Sequence, residues 1–170
     1  MLTVRRATEA DVEGCVGVLA ELSEYFTPVT HDEVRAVLAD RGTHLGLVAT
    51  EGTESTILGF VLVEQRYRGS AELTHAAVLP QHRGKGIGTR LIEQVLFELA
   101  MRGVKVVEVK TLDESSGYEP YVATRAFWGA RGFVQMDCID PLPGWDPGNP
   151  SAIYVAALEP TTRVTHHTDV

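Results

Sequence analysis

Between the apolar run AAVL and the repeating LIEQVLFELA lies QHRGKGIGTRL, residues 81–91, with three glycines in five positions among basic side chains. A strand that passes through such a loop straight into an amphipathic helix leaves the chain few ways to fold. Leu91, Ile92, Val95, Leu96 and Leu99 recur at helical spacing, so a helix begins where the glycines end, and Gly103 predicts its stop. Gly84, Gly86 and Gly88 let the backbone take left-handed or crowded conformations that side chains forbid. Successive N–H groups can then converge at the helix N-terminus, where the dipole favours an anion. Arg83, Lys85 and Arg90 add mobile positive charge, and a diphosphate is the natural guest. An empty tight turn is the alternative that these residues alone leave open.

Two familiar phosphate loops fail on spacing. A Walker A loop needs G-x-x-x-x-G-K-[ST], and no lysine followed by Ser or Thr closes this one. A dinucleotide fingerprint needs G-x-G-x-x-G, whereas these glycines run G-x-G-x-G. The formal net charge of −8 disfavours nucleic acid, whose phosphates call for a basic surface, and suits a cationic small molecule or basic peptide.

The remaining chain reads as one domain over residues 1–159. A strand at residues 2–6 precedes a helix of roughly 9–25 capped by Thr8, with Val12, Val16, Leu19 and Leu22 as its apolar stripe. Pro28 breaks the chain, and Thr30 with Glu33 makes a capping box for a second helix ending near Arg41 and Gly42. HLGLVAT (44–50) and TILGFVLVEQRY (56–67) flank the polar EGTES as a hairpin, and AELTHAAVL (71–79) is the next strand. Beyond the glycine loop and its helix come a strand at 104–111, a helix from Pro120 closing at Gly132, and two strands, FVQMDCI and SAIYVAAL. The Pro/Gly/Trp-rich loop 140–150 separates those last two strands. This order predicts an α+β fold around a mixed, mostly antiparallel sheet, followed by a flexible polar tail over residues 160–170. Cys15 and Cys138 are far apart, without metal-ligand spacing, and read as unpaired thiols in a reducing compartment. The start has no apolar targeting segment and no run is long enough to span a membrane, so a cytoplasmic location is expected. His166 and His167 on the tail lack ligand geometry, and no metal is expected.

The stretch ELTHAAVLPQHRGKGIGTRLIEQVL (72–96) resembles the coenzyme-binding core of the GNAT superfamily of N-acetyltransferases. The family's R/Q-x-x-G-x-G/A signature falls on Arg83, Gly86 and Gly88, and the order of elements is similar along nearly the whole chain. The resemblance implies the GNAT fold, with about seven strands and about four helices. It also implies acetyl-coenzyme A as cosubstrate. Backbone amides over Arg83, Gly84, Lys85, Gly86, Ile87, Gly88 and Thr89 would hold its diphosphate. The strand bearing Ala76, Ala77 and Val78 would pair with its pantetheine arm. The acceptor would be a primary amine on a small molecule or peptide, and a homodimer is left open.

Acyl transfer to an amine needs a neutral nitrogen, whereas a free lysine-like amine is mostly protonated at neutral pH. A general base must take a proton, an effect of roughly 10²–10⁴ in rate. By the resemblance, Glu72 occupies the position of a family glutamate that acts as base, six residues before Val78. Strand alternation puts Glu72 with Thr74, Ala76 and Val78, and His75 on the opposite face as a packed or relay group, unless a bulge re-aims it. The family's F-Y-x-x-x-G-F motif appears as Phe127, Trp128, Gly132 and Phe133, with tryptophan in place of the tyrosine near the sulfur. Indole N–H donates a hydrogen bond but is no practical acid, so Trp128 reads as a wall of the pantetheine tunnel. Tyr118 and Tyr121 are the nearest substitutes, Tyr121 lying two helical turns before Trp128. Trp128 also keeps open a non-catalytic acyl-coenzyme A-binding sensor or scaffold. Arg125 is expected to pair with a surface carboxylate, and Trp145 and Asp146 could meet a cationic acceptor.

Overall fold

The computed structural model describes residues 1–40, 44–52 and 56–159. The strands are β1 (Leu2–Arg6), β2 (His44–Glu51), β3 (Ile57–Tyr67), β4 (Ser70–Val78), β5 (Val106–Leu112), β6 (Val134–Ile139) and β7 (Ser151–Ala157). The helices are α1 (Val12–Ala20), α2 (Pro28–Ala39), α3 (Ile87–Met101) and α4 (Tyr121–Gly129). One sheet runs β1-β2-β3-β4-β5-β7-β6, and only β4 and β5 pair in parallel. The expected mixed, mostly antiparallel α+β architecture is what the chain forms.

Local signals account for most of it. Along α3, Leu91, Ile92, Val95 and Leu99 are all buried, and the helix stops before Gly103 in the left-handed region. The core lies under both faces of β2 and β3, where Leu47, Val48, Phe60, Val61, Leu62 and Val63 are fully enclosed.

Two helix expectations change. The first helix is split: a 3₁₀ turn over Glu9–Asp11, then α1 ending at Ala20 rather than near residue 25. Beyond Ala20, short-range bonds from Leu22 N–H to the Leu19 carbonyl and from Tyr25 N–H to the Leu22 carbonyl tighten the chain. They bury Leu22 and swing Tyr25 toward α4. The second helix begins at Pro28, with Thr27 in the extended cap position, so Thr30 and Glu33 lie inside the helix instead of boxing its end. Proline suits a first turn because its missing N–H has no intrahelical partner to lose. The predicted helix end at Arg41 and Gly42, part of the 51–55 hairpin loop and the tail with His166 and His167 lie outside the described residues. The antiparallel β2–β3 register confirms the hairpin itself.

A buried acid anchors the N-terminus. Arg5 grips Asp11 through two 2.7 Å bonds, and the Thr8 N–H and hydroxyl donate to the same carboxylate at 2.7 and 2.9 Å. These bonds, Arg5's first, bring the Asp11 carboxyl down to about 2 against the opposing pull of burial. A depressed carboxylate stabilises the fold above its ordinary range near 3.8, and that contribution is lost as pH falls through about 2. Asp11→Ala should destabilise the domain by about 2 kcal/mol, because Arg5 and Thr8 lose their acceptor; urea unfolding at pH 7 measures it.

Candidate active site

The parallel pairing of β4 with β5 runs from Ser70 opposite Val106 to Leu73 opposite Val109 and goes no further. Both strands continue, β4 through Val78 and β5 through Leu112, so the sheet forks. The cause lies in β4. Its register against β3 steps from Val63–Leu73 to Leu62–His75, leaving Thr74 as an extra residue. Such a bulge bends its strand and increases the local twist. The Thr74 hydroxyl fills the irregularity by donating to the Leu62 carbonyl at 3.4 Å. β5 meanwhile stays paired with β7 to its last residue.

The same bulge corrects the expected side-chain faces. Glu72 lies opposite Glu64, and His75 opposite Leu62; two residues apart on β3, these partners share a face. Glu72 and His75 therefore project to one side together, while Leu73, Ala76 and Val78 project to the other. Simple alternation had separated Glu72 from His75 and grouped it with Ala76 and Val78. On the first side His75 meets Glu33 of α2; on the second, Val78 lies near Gly88 of α3, which abuts Phe127 of α4.

Above the fork opens a cleft of about 560 Å³, lined by β4 from Leu73 to Val78, the glycine loop, the start of α3, Val109 to Thr111 of β5, and α4. Gly84 and Gly86 hold φ of +72° and +78°, and the loop enters α3 with Gly86 as its left-handed cap. A Cβ built on either glycine would touch nothing within 4 Å, so the space above the loop is open. At Gly88 a Cβ would lie 3.1 Å from the Phe127 ring, a closeness that lets α3 and α4 meet. The first N–H groups of α3 have no intrahelical partner and sit at this end of the cleft. Ala76, Ala77, Val78, Arg83, Gly84, Gly86, Ile87, Gly88, Thr89 and Trp128 all line the cleft; Lys85 does not.

The three candidate catalytic residues sit differently. His75 lines the cleft, with Nε2 3.7 Å from a Glu33 carboxylate oxygen and Nδ1 buried without a partner among the described residues. Burial lowers its pKa below the ordinary 6.5 against the opposing charges of Glu33 and Glu72, so the imidazole is neutral at pH 7. Glu72 is outside the lining, its carboxylate 2.9 Å from the Lys110 ammonium, which also lies 3.2 Å from Glu108. Burial pulls the Lys110 pKa down, but the two carboxylates together raise it, so Lys110 stays charged. Tyr121 lines the cleft, yet its hydroxyl donates to the Tyr25 carbonyl at 3.3 Å and burial pushes its pKa up to about 12. A phenol so held is a weaker acid than a free one.

Tyr25 and Arg131, which sequence reasoning passed over, also line the cleft, and further aromatic and cationic groups pack around it. The Tyr25 hydroxyl donates to the Pro120 carbonyl and that of Tyr118 to the Glu24 carbonyl, each at 3.0 Å, tying the segment before α2 to the start of α4. The Arg83 guanidinium lies 5.0 Å from the Tyr25 ring centre. Arg131 lies over Phe127 and donates to the Phe127 carbonyl and the Thr89 hydroxyl, so it bridges α4 to α3. Trp128 is buried edge-on between Phe127 and Phe133, with ring centres 5.1 and 5.2 Å away. Among the described residues no carboxylate forms a salt bridge with Arg125, which instead donates to the Leu112 carbonyl at 3.0 Å. Trp145 and Asp146 are not part of the cleft lining. No local pattern marks Tyr25 or Lys110. Thr111 left a faint signal, a hydroxyl in the phase of the strand otherwise held by Val107 and Val109.

The sequence profile of the acetyltransferase (GNAT) family matches residues 16–132, a span that contains the fork, the glycine loop, α3 and α4. The chain belongs to that family. Among curated proteins none matches it in sequence. Solved structures match its fold closely. A GNAT-family protein of Desulfovibrio desulfuricans superposes with a TM-score of 0.79 at 20% identity, covering 94% of this chain and 100% of that one. The ribosomal-protein-S18-alanine N-acetyltransferase of Escherichia coli gives 0.73 at 17% identity, with 96% and 98% covered. PaiA N-acetyltransferase of Thermoplasma acidophilum, in complex with coenzyme A, gives 0.71 at 15% identity, with 92% and 99% covered. This GNAT chain thus carries the family's fold while its side chains have diverged widely. Among its described residues no cluster of His, Cys, Asp or Glu is arranged to hold a metal, and no helix is long and apolar enough to cross a membrane.

Proposed function

We propose that this GNAT chain transfers an acetyl group from acetyl-coenzyme A to a primary amine of a small molecule or peptide, by direct attack within a ternary complex. The observation that carries the reading is the fork: its open β4 edge leads straight from the glycine loop to His75. The site suits the coenzyme. Two left-handed glycines and the first turn of α3 present amides to a diphosphate, with Arg83 beside them. Among the described residues no strand pairs with Thr74 to Val78 on the edge that β5 leaves, so their backbone can pair with an extended amide-bearing arm. The bound coenzyme supplies an acyl group activated as a thioester.

His75 takes the proton from the attacking amine in this reading. It is neutral, lines the cleft and has a ring nitrogen without a partner. Glu33 on the same side stabilises the imidazolium once formed. Glu72 serves through its pair with Lys110, either holding that ammonium or acting as base through water. Glu72→Gln should lower turnover about tenfold with coenzyme affinity unchanged. If His75 is the base, the acid limb of the pH–rate profile survives in that variant; if Glu72 is the base, it vanishes. A net charge of −8 and the carboxylates of Glu33, Glu72 and Glu108 favour a cationic acceptor. The unpaired Cys15 and Cys138 support a cytoplasmic setting for the reaction.

Trp128 supports a second reading, a coenzyme-binding sensor without turnover, because it removes the phenol near the sulfur. Release of free thiol from acetyl-coenzyme A in a panel of amines decides between them. The transferase reading expects release with at least one amine. Coenzyme binding with no release for any amine selects the sensor.

A further inference from the structure

Four buried side-chain polar atoms in the described residues lack a hydrogen-bond partner: His75 Nδ1, Thr111 Oγ1, Arg131 Nε and Ser151 Oγ. Three of the four belong to residues that line the one cleft. A buried hydroxyl or ring nitrogen without a partner is costly and normally avoided, so their concentration here points to ligand atoms that complete them. Thr111 is 3% exposed and has no part in the reaction as outlined above.

Its position says which ligand atom it meets. Thr111 follows Val109, the last β5 residue paired with β4, by two places, so it stands just above the apex of the fork. Val107, Val109 and Thr111 share a face with Leu73, and hence with Val78 on the α3 and α4 side of the sheet. His75 projects to the α2 side. A ligand anchored by its diphosphate at the glycine loop and running along β4 has its far end at this apex. Residues 74 to 78 cover about 13 Å at strand spacing, a span the pantetheine arm matches. The acyl carbon then lies between Thr111 on the donor side and His75 on the acceptor side.

We propose that the Thr111 hydroxyl donates a hydrogen bond to the coenzyme's sulfur and stabilises it as leaving group, supplying the O–H donor that Trp128 cannot. The assignment rests on the acetyltransferase reading above. The amine nitrogen bonds to the thioester carbonyl carbon and the carbon–sulfur bond breaks with its electron pair going to sulfur. The proton lost by nitrogen goes to His75. Thr111 keeps its own proton and shares it with the thiolate, which is protonated later from water. Nucleophile and leaving group thus sit on opposite sides of the fork, each with one polar partner.

Calorimetric titration with coenzyme A and with desulfo-coenzyme A, in which hydrogen replaces the thiol, tests this on the wild-type chain and on Thr111→Val and Thr111→Ser. Valine keeps the threonine's shape and strand preference, and serine keeps the hydroxyl. The assignment expects Thr111→Val to bind coenzyme A about tenfold more weakly at a pH where the bound thiol is ionised, with desulfo-coenzyme A unaffected. Thr111→Ser should restore most of the difference. Thiolate absorbance of the bound coenzyme should titrate about one unit higher in Thr111→Val than in wild type. Equal losses for both ligands would move Thr111 to a contact with the pantetheine arm and overturn the assignment. So would two unchanged affinities, the result expected if a water alone satisfies the hydroxyl. A wild-type chain that binds neither ligand would overturn the acetyltransferase reading itself.

Discussion

His75→Ala is expected to cut turnover by at least about a hundredfold at pH 7, leaving coenzyme affinity within a factor of about three. The imidazole is a neutral base lining the cleft on β4 two residues beyond Leu73, and Lys110 nearby is a charged ammonium with no lone pair to offer. Burial holds the His75 pKa below 6.5, so kcat/KM of the wild type should rise with pH along a limb below that value and level off above it. In His75→Ala that limb should disappear. The same shift has a sign for stability. The unfolded chain binds a proton at His75 more readily than the folded one, so this contribution is complete above about 6.5 and is lost as pH falls through the lower folded value. His75→Ala should therefore flatten the loss of stability on mild acidification, a change that urea unfolding at pH 5 and pH 7 detects. Turnover within a factor of about three of wild type would remove His75 from the proton path.

Gly86→Val should weaken coenzyme binding about a hundredfold while the domain still folds. A β-branched residue at φ +78° is strained by up to about 3 kcal/mol, and the loop relieves it by rotating its amides out of alignment. Each charge-assisted bond lost to a phosphate is worth about 1.5–3 kcal/mol, and about 1.4 kcal/mol is a factor of ten in Kd. The added Cβ also stands in the open space above the loop, where it meets no protein atom within 4 Å, and the side chain it carries is expected to block the diphosphate. Because the added Cβ strikes nothing and the loop relieves the strain, the melting temperature should fall by only a few degrees, whereas the melting shift produced by coenzyme A should vanish. Unchanged affinity would show that these amides do not form the cradle.

Much of this was legible in the chain before any tertiary contact. The α3 stripe, the glycines and the order of strands and helices are local signals, because helix periodicity and backbone freedom depend on neighbours a few residues away. Helix ends were less legible. Thr30 and Glu33 satisfy a capping pattern, but Pro28 starts the helix earlier because its ring is already set for a first turn. Of the candidates from Ala76 to Thr89 all but Lys85 line the cleft, since one strand–loop–helix unit carries them all.

The arrangement of the candidate side chains was not legible in the same way. Thr74 is one residue in a regular strand pattern; only its pairing with β3 makes it a bulge and turns Glu72 and His75 to the same side. Lys110 lies 38 residues from Glu72, Thr111 lies 36 from His75, and Tyr25 lies 96 from the Tyr121 ring it touches. By itself the sequence determined a family fold, its order of elements and a left-handed glycine loop at the start of α3, each encoded by residues close together in the chain. Tertiary structure decided which side chains meet at the fork and from which side each acts. Those follow from cross-strand register and from where parallel pairing stops, and both are set by hydrogen bonds between distant segments that no local periodicity encodes.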